Sequence, residues 1–187
     1  MAETLKGLLR GAMNDLTAVF EKLPETAADA LVEEVLAARK IVVFGCGREG
    51  LQMRGFAMRL FHLGRDVAVW GDMTMPAVGP GDLLFASAGP GYLATAETLI
   101  ELAREAGART SLITAQANSA MADLVDTVIL LPAQTMADDL GAVRTTLPMG
   151  SVFEAAQMLF FDCVVLMLRA RGDETFETMR ARHANLE

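Results

Sequence analysis

Residues 41–50 read Ile41-Val42-Val43-Phe44-Gly45-Cys46-Gly47-Arg48-Glu49-Gly50, and the class of fold follows from this segment. Its first four residues are apolar and rich in β-branched side chains, which is typical of a strand buried on both faces. The apolar spacing from Leu51 to Leu63 predicts a helix that ends at Gly64. A strand, a glycine-rich turn and a helix in this order predict the first unit of a parallel α/β sheet.

The same alternation continues to residue 131. Further strands are predicted at Asp66–Trp70, Asp82–Ser87, Thr110–Thr114 and Thr127–Leu131, with helices at Thr95–Ala106 and near Ser119–Val125. This pattern predicts a three-layer α/β/α domain with five parallel strands in the flavodoxin-like order. Because such sheets bind ligands beyond the carboxyl ends of their strands, we expect the site in the loops that begin at Gly45, Gly71, Ser87 and Thr114.

The segments on either side of this core, 41–132, differ from it. Residues 1–40 predict two helices, residues 133–150 an irregular loop beside the active site, and residues 151–187 C-terminal helices and a tail. The helix that begins near Ser151 is apolar around almost its whole circumference. We expect it to be buried on all sides, partly against another subunit, within a single domain spanning 1–187.

Composition argues against several functions. A length of 187 residues suits one domain, and a net charge of −8 argues against nucleic-acid binding. The apolar run Phe153–Leu168 is too short and too interrupted for a membrane span, and residues 1–10 have no apolar signal-peptide core. Cys46 and Cys163 form no metal-ligand pattern with the two histidines, so we expect no metal and free thiols in a cytoplasmic protein.

The glycine turn has more than one interpretation. Gly45–Gly50 matches G-x-G-x-x-G between a strand and a helix, and either Asp66 or Asp72 could be the acidic residue of a dinucleotide site. The chain is, however, too short for a second half that would hold a nicotinamide and its substrate. The same glycines also suit an anion at a helix N-terminus, or close strand–helix packing alone.

Five segments resemble the SIS (sugar isomerase) family, and within it the 6-phospho-3-hexuloisomerase branch. They are Gly-Cys-Gly-Arg at 45–48, Phe-Ala-Met-Arg-Leu-Phe-His-Leu-Gly at 56–64, Gly-Asp-Met-Thr-Met-Pro-Ala at 71–77, Leu-Pro-Met-Gly-Ser-Val-Phe-Glu at 147–154 and Arg-His-Ala-Asn-Leu-Glu at 182–187. The resemblance covers nearly the whole chain in order. It implies a homotetramer without metal or organic cofactor that converts 3-hexulose 6-phosphate into fructose 6-phosphate.

Glu154 and His183 are the candidate catalytic residues. Moving a carbonyl between sugar carbons through an enediol needs a base for carbon and a second group for the oxygens. Glu154 lies in the first turn of the apolar helix, where a glutamate is also favoured by the helix dipole alone; the resemblance favours the base. His183 can donate and accept protons if the tail docks, whereas His62 is more typical of a core histidine.

The predicted substrate-binding residues lie on the turns at the sheet edge and at the two helix starts. They are Gly45, Cys46, Gly47, Arg48, Glu49, Ser87, Gly89, Gly91, Tyr92, Thr95 and Ser151. Arg48 is the best-placed cation for an anionic ligand. Arg54 and Arg59 are about 140° apart on one helix, so both cannot face the ligand.

The phosphate-binding turn departs from the family pattern. The family reads Ser-Gly-Ser-Gly-Glu-Thr where residues 88–93 read Ala-Gly-Pro-Gly-Tyr-Leu, and Glu49 replaces a serine. Pro90 also lacks an N–H that could hold an anion. Three hypotheses remain: a phosphohexulose isomerase with a rebuilt phosphate site, an isomerase of a differently substituted or unphosphorylated sugar whose hydroxyls contact Glu49 and Tyr92, and a non-catalytic sugar-binding regulator.

Overall fold

The computed structural model describes residues 4–141 and 144–186. The helices are α1 Leu5–Phe20, α2 Asp29–Ala37, α3 Gly47–His62, α4 Ala94–Glu105, α5 Ser151–Arg171 and α6 Phe176–Ala181. The strands are β1 Ile41–Phe44, β2 Val67–Val69, β3 Leu83–Ser87, β4 Arg109–Thr114 and β5 Thr127–Leu130. The predicted strands and most helices are confirmed with shifted ends, but the helix expected near Ser119–Val125 is only a 3-10 turn at Ala122–Leu124.

The sheet is parallel throughout, with the order β2-β1-β3-β4-β5. This confirms the predicted flavodoxin-like order. β1 and β3 are neighbours, with Val42 opposite Leu84. The chain leaves β1 toward one edge of the sheet and β3 toward the other, so the turns that follow these two strands flank a crevice at the carboxyl end of the sheet.

Helices cover both faces of the sheet, which confirms the three-layer architecture. Side chains of α2, α3 and α5 pack on one face, and those of α4 pack on the other. The first face is centred on three phenylalanines: the ring of Phe56 stacks on Phe161 at 4.4 Å between centroids, and both meet Phe85 edge-on. Because both faces are covered, the central strands β1 and β3 are apolar without alternation.

Helix α5 is the long, largely buried C-terminal helix that the sequence predicts. It is long and apolar enough to cross a membrane by length and composition, but more than half of its apolar window is buried within the domain, as in a core helix. Its buried residues contact α1, α2 and α3 of the same chain. Met158, Leu159 and Leu166 on the other side are roughly half-exposed.

The turn between β1 and α3 requires glycine for steric reasons. A Cβ on Gly50 would lie 2.4 Å from the carbonyl oxygen of Gly45, and a Cβ on Gly45 would lie 3.0 Å from the Gly50 nitrogen. Gly47 has a positive φ of 54°, which side chains disfavour. The turn is therefore folded tightly against the start of α3, which fixes where the first side chains of this helix point.

We expect Gly50→Ala to lower the free energy of unfolding by about 1–3 kcal/mol, because the added methyl overlaps the turn. Gly55→Ala is a matched control on the same helix, where an added Cβ meets no heavy atom within 4 Å. That control should be neutral or stabilising by up to about 1 kcal/mol, since alanine is the better helix former. Urea unfolding at one protein concentration measures both, and equal losses would contradict this account of the turn.

Candidate active site

The N-termini of α3 and α5 meet at the crevice. Gly150, in the left-handed conformation at φ 75°, turns the chain into α5, and Cys46 precedes the first residue of α3. Arg48 connects the two helices: its Nη1 donates to Ser151 Oγ at 2.5 Å, and its Nε lies 3.0 Å from Glu154 Oε2. Both helix dipoles point their positive ends here, which favours negative charge at this position.

Glu154 faces the glycine turns and is largely buried, with 14% of its side chain exposed. Burial raises the pKa of its carboxyl, Arg48 lowers it, and the nearby charge of Glu49 raises it again. Glu154 Oε2 accepts no aligned hydrogen bond from any residue in 4–141 or 144–186, although Arg48 Nε is close. A largely buried carboxylate whose pKa is raised is suited to taking a proton from a ligand.

Glu49, in the first turn of α3, binds the end of β3. Its Oε2 accepts from Ser87 Oγ at 2.5 Å and from the Gly89 N–H at 3.0 Å. Burial raises the pKa of Glu49, whereas the hydrogen bonds from Ser87 and Gly89 lower it. Ser87 is fully buried and accepts in turn from Gln157 Nε2 at 2.9 Å. A buried polar chain therefore links α3, β3 and α5.

Gln157 is the residue that sequence reasoning missed. It is fully buried, and its Oε1 has no hydrogen-bond partner among the residues the structure describes. It lies three residues after Glu154, so both side chains project from neighbouring positions on α5. The available signal is a polar residue three positions after Glu154 on an otherwise apolar helix. In the sequence alone, Gln157 only interrupts the apolar run Phe153–Leu168.

A cleft of about 620 Å³ opens beside these residues at the ends of β4 and β5. The first turn of α5 contributes Val152 to its wall, α1 contributes Lys22, and the following loop contributes Arg144. Gln116 also lines the cleft and packs against Gly91, where an added Cβ would lie 2.7 Å from Gln116 Cβ. The cleft thus adjoins the glycine turns and is large enough for an open-chain sugar.

His183 does not join Glu154 within one chain. Its ring stacks on His62 at 5.4 Å between centroids, at the C-terminal end of α3. Arg182 holds the tail there by donating to the His62 carbonyl at 2.8 Å and to Glu174 at 2.7 Å. His62 is the last residue of α3 and Arg48 the second, so about 20 Å of helix separates this end from the crevice.

The remaining predicted residues divide between the crevice and the outer surface. Gly45, Gly47 and Gly89 form the turns at the crevice, and Cys46 is exposed beside them. Tyr92 is exposed and donates to Glu97 at 3.1 Å, and Thr95 is exposed on α4. Neither contacts Glu49 or Glu154 in any described hydrogen bond.

The arginines of α3 separate as their spacing predicts. Arg54 pairs with Asp72 at 3.3 Å and Arg59 pairs with Asp162 at 3.7 Å, so only Arg48 reaches Glu154 among these three. In the described part of the chain, no group of three or more His, Cys, Asp or Glu side chains could hold a metal ion. Among the described residues at the start of α3 and α5, Arg48 is the cation and Glu49 and Glu154 are the carboxylates.

A five-stranded parallel sheet in this order, with polar side chains at its crevice, defines a doubly wound α/β domain that binds a ligand at its switch point. The SIS domain family matches residues 34–159, and this chain belongs to that family. The 3-hexulose-6-phosphate isomerase of Bacillus subtilis is 32% identical over 178 residues, covering 94% of this chain and 95% of the relative. The enzyme of the same name from Mycobacterium gastri is 37% identical over 181 residues, covering 93% and 90%.

The solved structures agree with these relatives. A hypothetical protein of Methanococcus jannaschii, for which a function of 3-hexulose-6-phosphate isomerase has been inferred, superposes with a TM-score of 0.81. It is 28% identical to this chain, and the match covers 96% of this chain and 98% of that one. The predicted fold and family are thereby confirmed.

We expect Arg48→Met to raise the pKa of Glu154 further, because the variant removes the charge that stabilises its ionised form. The midpoint of the Glu154 titration should therefore move to higher pH. Arg54→Met is the matched control, since Arg54 lies on the same helix but pairs with Asp72. NMR titration of carboxyl-labelled glutamate measures both variants, and an unchanged Glu154 midpoint in Arg48→Met would show that the ion pair has no effect.

Proposed function

We propose that this protein is a sugar isomerase that moves a carbonyl between neighbouring carbons of an open-chain hexulose through an enediol. The reaction type is that of the relatives named 3-hexulose-6-phosphate isomerase. The observation that carries the proposal is the position of Glu154, a largely buried carboxylate of raised pKa that lies beside Arg48 at the crevice between two helix N-termini. The dinucleotide interpretation has less support, because Asp72 pairs with Arg54.

The chemistry follows from the charges around Glu154. The carboxylate removes the proton from the hydroxyl-bearing carbon next to the carbonyl, and the electron pair of the broken C–H bond forms the enediol double bond. The protonated carboxyl then returns the proton to the former carbonyl carbon, so that the carbonyl moves by one position. Arg48 stabilises negative charge that develops on the enediol oxygens.

A second copy of the chain would complete the site. The proton exchange between the two oxygens needs a group that donates and accepts, and His183 has this chemistry but lies at the far end of α3 in its own chain. We propose that the tail of another subunit brings His183 to the crevice, in a cytoplasmic homotetramer. The half-exposed apolar strip of α5, Met158, Leu159 and Leu166, supports burial against such a subunit.

The terminal group of the sugar has two candidates. Identity to the relatives over nearly their whole length supports a 6-phosphate. The carboxylate of Glu49 at the glycine turns supports an unphosphorylated or differently substituted sugar. The regulator hypothesis is disfavoured, because a binding protein has no need for the basic carboxylate at position 154.

We expect Glu154→Gln to lower turnover of the hexulose at least about 100-fold, because the amide cannot take the proton. It should also stop exchange of the substrate hydrogen with D₂O, which NMR detects. Glu101→Gln, at an exposed position on α4, is the control and should retain full activity. Normal turnover in Glu154→Gln with an unchanged fold would place the base elsewhere.

Mixing two inactive variants tests the shared site. Glu154→Gln chains keep His183 and His183→Ala chains keep Glu154, so about a quarter of shared sites in a random mixed oligomer combine both intact residues. Co-refolding the two should therefore restore a comparable share of activity, measured against each parent refolded alone. A mixture as inactive as its parents, despite confirmed mixed oligomers, would exclude His183 of a second subunit from the reaction.

A further inference from the structure

The donors that a ligand anion would use in the turn after β3, residues 87–91, are already occupied. The Gly89 N–H and the Ser87 hydroxyl both donate to Glu49. Pro90 has no N–H, and the Gly91 N–H donates to the Ala88 carbonyl at 3.0 Å. The three residues 89–91 thus present no backbone donor to an incoming group.

The contacts of Glu49 show that its carboxylate occupies this position as a bound anion would. It lies at the N-terminus of α3, as anions do at helix starts, and receives one hydroxyl and one backbone donor. Gln157 Nε2 donates to Ser87 Oγ at 2.9 Å, and this hydrogen bond orients the Ser87 hydroxyl so that it donates to Glu49. The carboxylate of Glu49 therefore occupies the position, next to Ser87 and Gly89, that a ligand anion would occupy.

A phosphate at the same place would meet a fixed negative charge. Two like charges 4 Å apart weaken binding by roughly fivefold even in bulk water, and by far more in a partly buried site. Glu154 adds a second negative charge, which Arg48 partly balances. A hydroxyl group meets no such repulsion and can donate to a carboxylate oxygen of Glu49.

We propose that Glu49 is a specificity-determining residue that occupies the anion position of the glycine turns and selects a sugar whose end at these turns bears a hydroxyl rather than a phosphate. This inference deepens the proposed isomerase and rests on it for the identity of the ligand as an open-chain sugar. It assigns the substrate class at one end of the site, and Glu154 remains the proposed base.

The test measures binding as well as turnover. Isothermal titration with inorganic phosphate, fructose 6-phosphate and fructose compares the wild-type protein with Glu49→Ser, which frees both donors, and Glu49→Gln, which removes only the charge. We expect Glu49→Ser to bind fructose 6-phosphate at least about tenfold more tightly than wild type, and Glu49→Gln to recover part of that gain. Glu101→Ser, which removes an exposed carboxylate on α4, controls for net charge and should change affinity less than about twofold.

Turnover separates this inference from the isomerase itself. The ratio of kcat/KM for 3-hexulose 6-phosphate to that for the unphosphorylated 3-hexulose should rise at least about tenfold in Glu49→Ser. If wild type turns over neither sugar while Glu49→Ser gains phosphate affinity, the inference stands and the isomerase proposal fails. If wild type is an active isomerase but neither Glu49 variant changes the ratio or the affinity in folded protein, the inference is overturned.

Discussion

The hydrogen bond between Glu49 and the buried hydroxyl of Ser87 is the contact on which the geometry of this site depends. It joins the first turn of α3 to the last residue of β3, across the point where the strand order reverses. A hydrogen bond to a charged group contributes about 1.5–3 kcal/mol, and its loss would leave Ser87 and Gln157 partly unsatisfied in the core. Because Arg48 precedes Glu49 on the same turn, holding Glu49 also directs Arg48 toward α5.

Two carboxylates in one crevice require different environments if they are to have different roles. Glu49 is surrounded by donors, so its charge is committed to the protein's own hydroxyl and amide. Glu154 forms one ion pair, with Arg48, and 14% of its side chain is exposed, so a ligand can reach part of this side chain. The negative charge of Glu49 also raises the pKa of Glu154, and in the proposed reaction this would assist the removal of the proton.

The sequence predicts this architecture well where local pattern decides the outcome. Continuous apolar strands that alternate with helices predict a parallel sheet with a crevice at its carboxyl end, because strands covered on both faces are joined by right-handed helical crossovers. Placing Glu154 at the crevice also follows, since α5 begins where the last loop returns to the sheet. The unequal exposure of α5 does not follow, because apolar composition does not say which neighbours a single chain can supply.

Hydrogen bonds between side chains that are far apart in the sequence cannot be predicted from local pattern, because they depend on how the elements pack. Glu49 and Ser87 are both conspicuous in the sequence, but their pairing requires the register of β1 and β3 and the angle of α3 together. The tail shows the same limit. Its sequence motif favours a role for His183 in the site, but within one chain Arg182 and Glu174 hold the tail at the C-terminal end of α3, away from the crevice.

Assembly and chemistry are therefore linked in this fold. In the proposed reaction a single chain would supply the base, a cation and the turns beside the sugar, but among its described residues no histidine lies at the crevice to move protons between the sugar oxygens. An apolar strip along α5 and a tail held in a defined place are the features through which a neighbour could supply that group. Burying the strip would also remove water from around Glu154, and a drier carboxylate is a stronger base. The association that stabilises the subunits would thus make the proton transfer easier.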